Sequence, residues 1–497
     1  MSANSRNLAV TFINKLVDDL QQELSDCAEV KTFHAFCMKL LYEINGRIVV
    51  FGQLTKIIEK DAMLLGYQYH DMDYLFLNLK DDEPALRFYL ARGDYYSAVA
   101  FNDSVYRLYR YVREQRFELP EYDLVVVDEF QDFNLLEVAF IDELQKKSPI
   151  LIVGDDDQAV YSKRCSSPDY LREKYYSGDY EIFELPFCSR CPRVVVEGTN
   201  AFMESSIRLG SLANRIPRQF VPYLEDKKYE NAAYPKIITA QVTNISTLSK
   251  YISHEIAKIP QLDISESHEK HYPTVLIVGQ KQYLNPILKS LRQSYTNINE
   301  FSQSPDFTQD DAYKFILRQP ESNLGWRLLA GLELPDKDLA PIIRSTLNGT
   351  SMRDLLTPEF IIKHEKALHL SESKQTSDTI IELPTVAAKE PEIDNDLPSI
   401  LLTSFEGCKG LSAGHVFIVG LNNGEIPKTT QGGPISDIEI CKLIVAMTRT
   451  RKQLHLLANK WQYNPKTEIQ RNKSIFLQRL PPQFVRALGT LAARDIP

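Results

Sequence analysis

Val125 to Asp132 reads VVVDEFQD, and this stretch constrains the fold more than any other in the chain. A short, wholly apolar run is typical of a buried central strand in a parallel sheet. Open α/β sheets bind ligands at the carboxyl ends of such strands. Asp128 and Glu129 therefore fall where the phosphates of a nucleotide would lie, and an acid there can hold Mg²⁺ through water. The alternative is a polar strand end with two solvated acids.

The length and composition suit a soluble protein of several domains. With 497 residues the chain can form two to four domains with separate cores. A net charge of −9 argues against a protein that coats nucleic acid by bulk charge, but it allows a local binding groove. No apolar run approaches the length of about 18 residues that spans a membrane, so we expect a cytoplasmic protein without membrane contact.

The cysteines indicate reduced thiols. Seven cysteines at irregular spacing do not suggest a disulfide framework. Cys188 and Cys191 form one CxxC, but no second pair has zinc-site spacing, so no metal–sulfur site is expected.

Two further stretches extend the pattern of the first. The apolar run Ile150–Val153 leads into GDDDQAVY, and Leu443–Arg449 reads LIVAMTR. In chain order, VDEFQD, VGDDDQAVY and VAMTR resemble motifs II, III and VI of the UvrD/Rep helicases of superfamily 1A. The resemblance implies an α/β fold of the P-loop NTPase class, with two RecA-like parallel-sheet domains and helical insertions.

More motifs of this family follow along the chain. LAVTF at Leu8–Phe12 resembles motif Ia, VKTFHAF at Val30–Phe36 resembles motif Ib, and FCSRCP at Phe187–Pro192 resembles motif IV. ILLTSFEGCKGL at Ile400–Leu411 resembles motif V. The resemblance implies that single-stranded DNA contacts six residues: Thr11, Phe12, Thr32, His34, Tyr161 and Ser404. Phe33 of motif Ib is expected in the core instead.

The same resemblance implies a site for ATP and Mg²⁺. Asp128 would hold Mg²⁺ through water, and Glu129 would activate the attacking water. Gln158, Arg190 and Arg449 would face the γ-phosphate, Arg449 as the arginine finger. Lys409 and Gly410 would form the turn that couples nucleotide to DNA. Four positions depart from the usual family residues: Ser189, Glu406, Ser412 and Ile444.

The domain organisation follows from these motifs. Residues 1–183 are expected to form the first RecA-like domain, with a helical insertion (1B) at about 40–117. Residues 184–497 are expected to form the second, with a reduced insertion (2B) at about 299–395. Tyr180–Leu185 is predicted as a strand, and Ser371–Ser377 and Lys389–Ser399 as linkers. The arginines of the last 1B helix fit a solvated face or a phosphate track, of which the solvated face is favoured.

One motif of the family does not occur in this sequence. GxxxxGK[ST], whose backbone N–H groups and lysine hold the phosphates, is absent, and the expectation is an N-terminally truncated relative without the first strand. The leading hypothesis is an ATP-dependent helicase or translocase on single-stranded DNA or single/double-strand junctions, impaired in hydrolysis. The alternatives are a non-catalytic single-strand-binding or regulatory relative, and an inactive fragment.

Overall fold

A computed structural model of the chain describes residues 6–12, 14–46, 49–68, 71–80, 83–161, 164–223, 235–300, 307–372, 397–428, 435–464 and 467–496. Contacts group the residues into two compact units. Unit 1 comprises Met1–Asp128, Phe133–Val153 and Ser304–Ala388. Unit 2 comprises Glu129–Asp132, Gly154–Gln303 and Lys389–Pro497. The domain boundaries proposed from the sequence stay a prediction.

The regular elements alternate between strands and helices along much of the chain. The strands are β1 (Asn7–Thr11), β2 (Glu29–Thr32), β3 (Val49–Val50), β4 (Ala98–Val99), β5 (Leu124–Val127), β6 (Ile150–Ile152), β7 (Phe187–Cys188), β8 (Val221–Pro222), β9 (Ile237–Val242), β10 (Val275–Val278), β11 (Ile298–Glu300), β12 (Ile400–Thr403), β13 (Ala413–Val419), β14 (Thr450–Asn459), β15 (Trp461–Asn464), β16 (Thr467–Gln470) and β17 (Val485–Leu491). The helices are α1 (Asn14–Leu24), α2 (Phe33–Asn45), α3 (Leu54–Leu64), α4 (Met72–Leu77), α5 (Pro84–Tyr96), α6 (Phe101–Arg113), α7 (Leu135–Gln145), α8 (Asp169–Tyr176), α9 (Arg193–Arg208), α10 (Ile245–Ile256), α11 (Gln261–Glu269), α12 (Lys281–Leu291), α13 (Gln309–Arg318), α14 (Asn323–Glu333), α15 (Asp336–Thr346), α16 (Pro358–Glu372) and α17 (Asp437–Met447). None of the helices in the described part of the chain is both long and apolar enough to span a membrane.

Unit 1 contains a four-stranded parallel sheet in the order β2–β1–β5–β6. The VVVDEFQD stretch therefore begins in an interior strand, as predicted. Val125 and Val127, on one face of β5, are fully buried, whereas Leu124 and Val126, on the other face, are half-buried. The Asp128 N–H donates to the Val10 carbonyl (2.9 Å), which fixes this acid at the carboxyl end of β5.

Strand β6 lies at the edge of this sheet. The sequence predicts an apolar strand here, and the strand is present. Despite this apolar composition, Leu151 is 44% exposed and Val153 is 36% exposed. Within the described residues β6 pairs with β5 alone, so it lacks the second neighbour that would help cover it.

Helix α7 follows the acidic stretch and begins as the sequence predicts. The Asn134 side chain accepts from the Glu137 N–H (3.1 Å), and the Glu137 carboxylate accepts from the Asn134 N–H (3.1 Å). This reciprocal pair satisfies two N–H groups that the first turn of a helix otherwise leaves free. Leu136, Phe140 and Leu144 form the buried stripe of the helix.

The arginines of α6 contact neighbours within unit 1. Their partners are carboxylates or aromatic rings: Asp94 and Asp103 for Arg107, Glu114 for Arg110, Tyr109 for Arg113, and Glu114 and Tyr111 for Arg116. Arg110 and Arg116 keep side chains that are 47% and 62% exposed. The exposed pair fits the solvated face favoured from the sequence.

Unit 2 contains a seven-stranded parallel sheet in the order β11–β12–β10–β13–β14–β9–β17. Successive strand residues point to opposite faces, so each face of β13 packs against its own core. Val416 and Ile418 belong to one apolar cluster, and Phe417 and Val419 belong to the other. Burial on both faces explains why the interior strand β10, Val275–Val278, is wholly apolar.

The predicted strand at Tyr180–Leu185 is absent. Residues 181–186 have no regular structure, and the strand β7 begins only at Phe187. Phe183 and Leu185 are 74% and 86% exposed. The EIFEL pattern has the composition of a strand, but it has no strand partner within the described residues. The predicted linkers lie largely outside the described residues.

A buried ionic network joins four helices of unit 1. The Asp61 carboxylate on α3 accepts from Arg92 (2.9 Å), Tyr96 (2.6 Å) and Arg327 (2.8 Å). Arg92 also donates to Thr346 on α15 (2.9 Å). Asp61 is fully buried, and the two arginines are at most 3% exposed. Because one carboxylate serves two buried guanidinium groups, its removal leaves both without a counter-charge.

We expect Asp61→Asn to destabilise unit 1 strongly. Breaking a buried ion pair from one side costs about 3–5 kcal/mol, because the remaining charge stays desolvated. The measurement is the midpoint of thermal and urea unfolding, followed by helical circular dichroism.

Asp336→Asn is the matched control for this substitution. Asp336 pairs with Lys60 in the same unit, but its side chain is 64% exposed. Exposed pairs contribute about 0–1 kcal/mol, so this variant should keep the wild-type midpoint. Equal shifts in the two variants would contradict a special role for the Asp61 network.

Candidate functional site

The acids of the VVVDEFQD stretch meet a buried lysine in unit 2. The Lys409 ammonium donates to the Asp132 carboxylate (2.5 Å) and to the Gln158 carbonyl (2.9 Å), and it lies 3.2 Å from the Glu129 carboxylate. The side chains of Lys409 and Asp132 are fully buried. A buried ammonium is tolerated because these three oxygen atoms replace its water.

The turn after β12 places Lys409. The Ser404 hydroxyl accepts from the Gly407 N–H (3.0 Å), and the Cys408 N–H donates to the Ser404 carbonyl (3.0 Å). Gly410 then has φ +76°, a left-handed conformation that glycine adopts without strain. The chain therefore reverses immediately after Lys409 and leaves its side chain directed inward.

The pKa values of the two acids move in opposite directions. Burial, opposed by Lys409 and helped by the nearby Glu129 charge, raises the pKa of Asp132 to about 7. Burial also acts to raise the pKa of Glu129, but Lys409 and the Gln131 amide outweigh it, so the net shift is downward. Glu129 is thus kept ionised while Asp132 can hold a proton near neutral pH.

Glu129 also has an unusual backbone. Its φ is +56°, a conformation that costs a non-glycine residue about 1–3 kcal/mol and often occurs at functional sites. The Gln131 side-chain nitrogen donates to the Glu129 carboxylate (2.5 Å), and the Gln131 side-chain oxygen accepts from the Asp155 N–H (3.0 Å). Gln131 and Asp132 were missing from the predicted site, although both lie inside the VVVDEFQD stretch.

Gln158 links Lys409 and its carboxylate partners to Arg449. Its side-chain oxygen accepts from Arg449 (3.3 Å), and its side-chain nitrogen donates to Asp155 (2.7 Å). Arg449 is 3% exposed, and it donates to the carbonyls of Val445 (2.8 Å) and Leu411 (3.3 Å). The structure thus brings Glu129, Gln158, Lys409 and Arg449 into one hydrogen-bonded network.

A cavity of about 270 Å³ adjoins this hydrogen-bonded network within unit 2. Gln158, Arg190 and Arg449 line it, together with the side chains of Phe220 and Ile444. Burial lowers the pKa of Arg449, and the charge of Arg190 lowers it further. Two guanidinium groups that repel each other across a cavity are both stabilised by a bound anion. The lining therefore suits a phosphate group.

Asp155, Asp156 and Asp157 resemble a metal site in their spacing but are already paired. Their carboxylate oxygen atoms lie within 4.8 Å of one another. Arg172, Arg215 and Arg218 each donate to one or more of them, for example Arg172 to Asp156 (2.9 Å) and Arg215 to Asp157 (2.6 Å). Three acids matched by three guanidinium groups form a neutral cluster without charge to attract a cation.

The residues predicted to contact DNA are divided between the units. Unit 1 holds Thr11, Phe12, Thr32 and His34. Thr11 is fully buried, so a direct contact with a DNA phosphate would require its hydroxyl to become exposed. The Thr32 hydroxyl caps α2 by accepting from the Ala35 N–H (3.1 Å), and the His34 ring lies 3.7 Å from Glu137. Phe12 packs edge-on against Phe133 with ring centres 6.2 Å apart.

The other two predicted DNA contacts lie in unit 2. The Tyr161 hydroxyl donates to the Glu406 carbonyl (3.2 Å), and its ring lies 5.7 Å from the Lys409 ammonium. Ser404 is exposed, and its hydroxyl holds the motif V turn as described above. Both residues therefore contact the segment that carries Lys409.

Comparison with known proteins shows which family the chain resembles. Residues 77–177 match the family model of the UvrD/REP helicase N-terminal domain. The chain is 26% identical to one subunit of the ATP-dependent helicase/nuclease of Natranaerobius thermophilus, over 50% of its own length and 23% of that protein. It is 26% identical to a probable DNA helicase II homolog of Mycoplasma capricolum over 41% of its length and 35% of that protein.

A further relative covers more of the chain. A probable DNA helicase II homolog of Mycoplasma genitalium is 21% identical over 91% of this chain and 78% of that protein. The chain thus spans a quarter to a third of the first two relatives and most of this one. The family model and the relatives together show that the chain is similar to the UvrD-like helicases of superfamily 1A.

The raised pKa of Asp132 predicts a specific pH dependence. An unfolded aspartate titrates near pH 4, whereas folded Asp132 titrates near 7. Between these values the folded state holds a proton that the unfolded state has released, so stability falls as pH rises through this window. We expect the unfolding midpoint of wild type to fall relative to that of Asp132→Asn as the pH rises from about 4 to 7.

Glu129→Gln tests the cause of that shift. The Glu129 charge contributes to the raised pKa of Asp132. Its removal should move the pH-dependent window to lower pH while leaving the window present. A pH profile identical in wild type and Asp132→Asn would show that Asp132 does not titrate in this range.

Proposed function

We propose that this chain is an ATP-dependent helicase or translocase that acts on single-stranded DNA or single/double-strand junctions, with impaired hydrolysis. The observation that carries the proposal is the contact of Lys409 with Asp132, Glu129 and the Gln158 carbonyl. This contact joins segments that resemble motifs II, III and V, so a change at one is transmitted to the others. Three relatives carry helicase in their names, which supports the proposed class of activity.

The proposed nucleotide site assigns a role to each group. Glu129 is kept ionised and is suited to accept a proton from an attacking water. Arg190 and Arg449 carry the positive charge of the cavity that would hold the γ-phosphate, with Gln158 between the cavity and Lys409. Lys409 and Gly410 form the coupling turn.

The proposed metal ligand is Asp128. A single carboxylate at the end of a strand fits Mg²⁺, which keeps several waters and takes its other ligands from substrate phosphates. When bound, the ion would neutralise charge on the phosphates. The neutral cluster of Asp155, Asp156 and Asp157 does not fit this role.

The proposal of impaired hydrolysis is supported by one feature of the given sequence. It contains no GxxxxGK[ST], the loop whose N–H groups and lysine hold the β- and γ-phosphates. The described residues do supply the groups that act on the γ-phosphate, but two arginines alone hold a triphosphate less firmly. We propose a cytoplasmic location for this activity.

A non-catalytic, single-strand-binding or regulatory role is the second candidate. The observation that favours it is the state of Arg449, which donates to the carbonyls of Val445 and Leu411. An arginine finger engaged in this way must break these bonds to reach a phosphate. Such a protein would keep the proposed DNA contacts of Phe12, Thr32 and His34 and lack turnover.

Glu129→Gln separates the two candidates. If the chain hydrolyses ATP, loss of the general base should reduce DNA-stimulated turnover about 10²- to 10⁴-fold. The measurement is phosphate release by the purified chain with and without single-stranded DNA. Glu118→Gln is the matched control, because the Glu118 side chain is 84% exposed and pairs with surface Lys147.

The possible outcomes divide clearly. Turnover that Glu129→Gln abolishes and Glu118→Gln preserves would support the enzyme. Absence of turnover in the wild-type chain would overturn the claim that this chain is itself a helicase and would leave the binding role.

Phe12 tests the proposed contact with DNA. Stacking of a base on an aromatic ring contributes about 1–3 kcal/mol, so Phe12→Ala should weaken binding of a single-stranded oligonucleotide about 5- to 150-fold. Fluorescence anisotropy at two salt concentrations gives the affinity and its salt dependence, which phosphate contacts require.

Tyr42→Ala is the control for a general loss of aromatic surface. Tyr42 is 56% exposed on α2, in the same unit, and has no proposed DNA contact. Thermal unfolding of both variants checks that the Phe12–Phe133 contact is not needed for folding. Equal affinities for all three proteins would remove Phe12 from the DNA site.

A further inference from the structure

Two cysteines flank Arg190 where the chain enters helix α9. Cys188 ends β7, Cys191 follows three positions later, and Pro192 caps the 16-residue helix. Cys188 is partly exposed and lines the cavity, whereas Cys191 is fully buried. The two thiols are within hydrogen-bonding contact of each other. The accessible Cys188 sulfur therefore lies beside the Cys191 sulfur, which solvent does not reach.

The surroundings of Cys188 favour its thiolate. The Cys191 thiol contacts the Cys188 sulfur, and the backbone N–H groups of Cys191 and Arg190 donate to it. Against the opposing effect of burial, these bonds and the Arg190 charge lower the pKa of Cys188 to about 5. A thiolate at the start of a helix is typical of reactive CxxC pairs.

The other cysteines have different environments. Burial raises the pKa of Cys37, Cys408 and Cys441, so these thiols stay protonated and inert. Cys27 and Cys165 are partly exposed, like Cys188, and each serves as an internal reference.

We propose that Cys188 and Cys191 form a redox-active dithiol that reacts with small disulfides and closes to a reversible intrachain disulfide. The Cys188 thiolate attacks one sulfur of the small disulfide, forms a mixed disulfide and releases one thiolate. The Cys191 sulfur then attacks Cys188 and forms the Cys188–Cys191 bond, and the second thiolate leaves with the Cys191 proton as a thiol. The two cysteines are oxidised by two electrons, and the small disulfide is reduced to two thiols.

Closure of this bond changes the cavity wall. In the reduced state the Cys191 thiol donates to the Thr448 carbonyl (3.2 Å), and the disulfide removes that donor. Thr448 and its neighbour Arg449 both line the cavity, and Arg190 lies inside the ring that the disulfide closes. Oxidation therefore alters the position of both proposed phosphate ligands. This consequence rests on the proposed function, whereas the redox reaction does not.

The first experiment treats the reduced 497-residue chain with oxidised glutathione, quenches it in acid, alkylates free thiols and identifies the modified peptides by mass spectrometry. We expect a peptide with a Cys188–Cys191 bond, which dithiothreitol restores to the dithiol. Cys191→Ser should stop at the mixed disulfide on Cys188, and Cys188→Ser should leave Cys191 unmodified. Cys27→Ser, the matched control, should behave as wild type.

The rate of alkylation supplies a second, independent readout. From about pH 6 to 8 the rate at Cys188 should change less than twofold, since it is already a thiolate. An ordinary thiol, with a pKa near 8.5, should react about 50- to 100-fold faster over the same range. A pH profile at Cys188 like that of Cys165, or equal oxidation of Cys27 and Cys188, would overturn the proposal.

Nucleotide binding tests the consequence separately. A fluorescent ATP analogue should bind the oxidised chain at least severalfold more weakly than the reduced chain, and Cys191→Ser should lack the reduced-to-oxidised difference that a closed disulfide causes. If the disulfide forms and reduced protein binds no nucleotide, the proposed function fails and the redox site stands. If reduced protein binds nucleotide and no disulfide forms, the redox proposal fails alone.

Discussion

The contact between Lys409 and the acids of the VVVDEFQD stretch determines the arrangement of the candidate site. A fully buried ammonium is stable only with its charge compensated, and Asp132, Glu129 and the Gln158 carbonyl do this together. The same cluster sets the protonation of the acids, because Lys409 lowers the pKa of Glu129 while burial raises the pKa of Asp132 to about 7. The burial of Lys409 beside these acids therefore determines both how the segments pack and how the acids titrate.

Local sequence predicted the elements that are defined by their own composition. β5 is a short apolar run that ends in two acids, so it could be predicted without knowledge of its neighbours. Exposure could not be predicted in this way. β6 and the stretch Tyr180–Leu185 are both apolar, yet their burial and pairing depend on strands from elsewhere in the chain.

The candidate site shows the same division. Family resemblance indicated Glu129, Gln158, Lys409 and Arg449, which the structure brings together. It did not indicate that Lys409 pairs with Asp132, because these residues are 277 positions apart. The sequence also did not show that the three consecutive aspartates are paired with arginines, since Arg215 and Arg218 lie about 60 residues downstream. Charge compensation over such distances is a property of the fold.

The Asp61 network has a consequence for how the chain folds during synthesis. Its carboxylate pairs with Arg92, 31 residues away, and with Arg327, 266 residues away. A ribosome that has released α3 and α5 must still make the segment Gly154–Gln303 of unit 2 before α14 and α15 emerge. Until then the early helices have an unfinished interior and an uncompensated charge. Contacts of such long sequence separation form slowly, so unit 1 should be completed only after a large part of unit 2 has been translated.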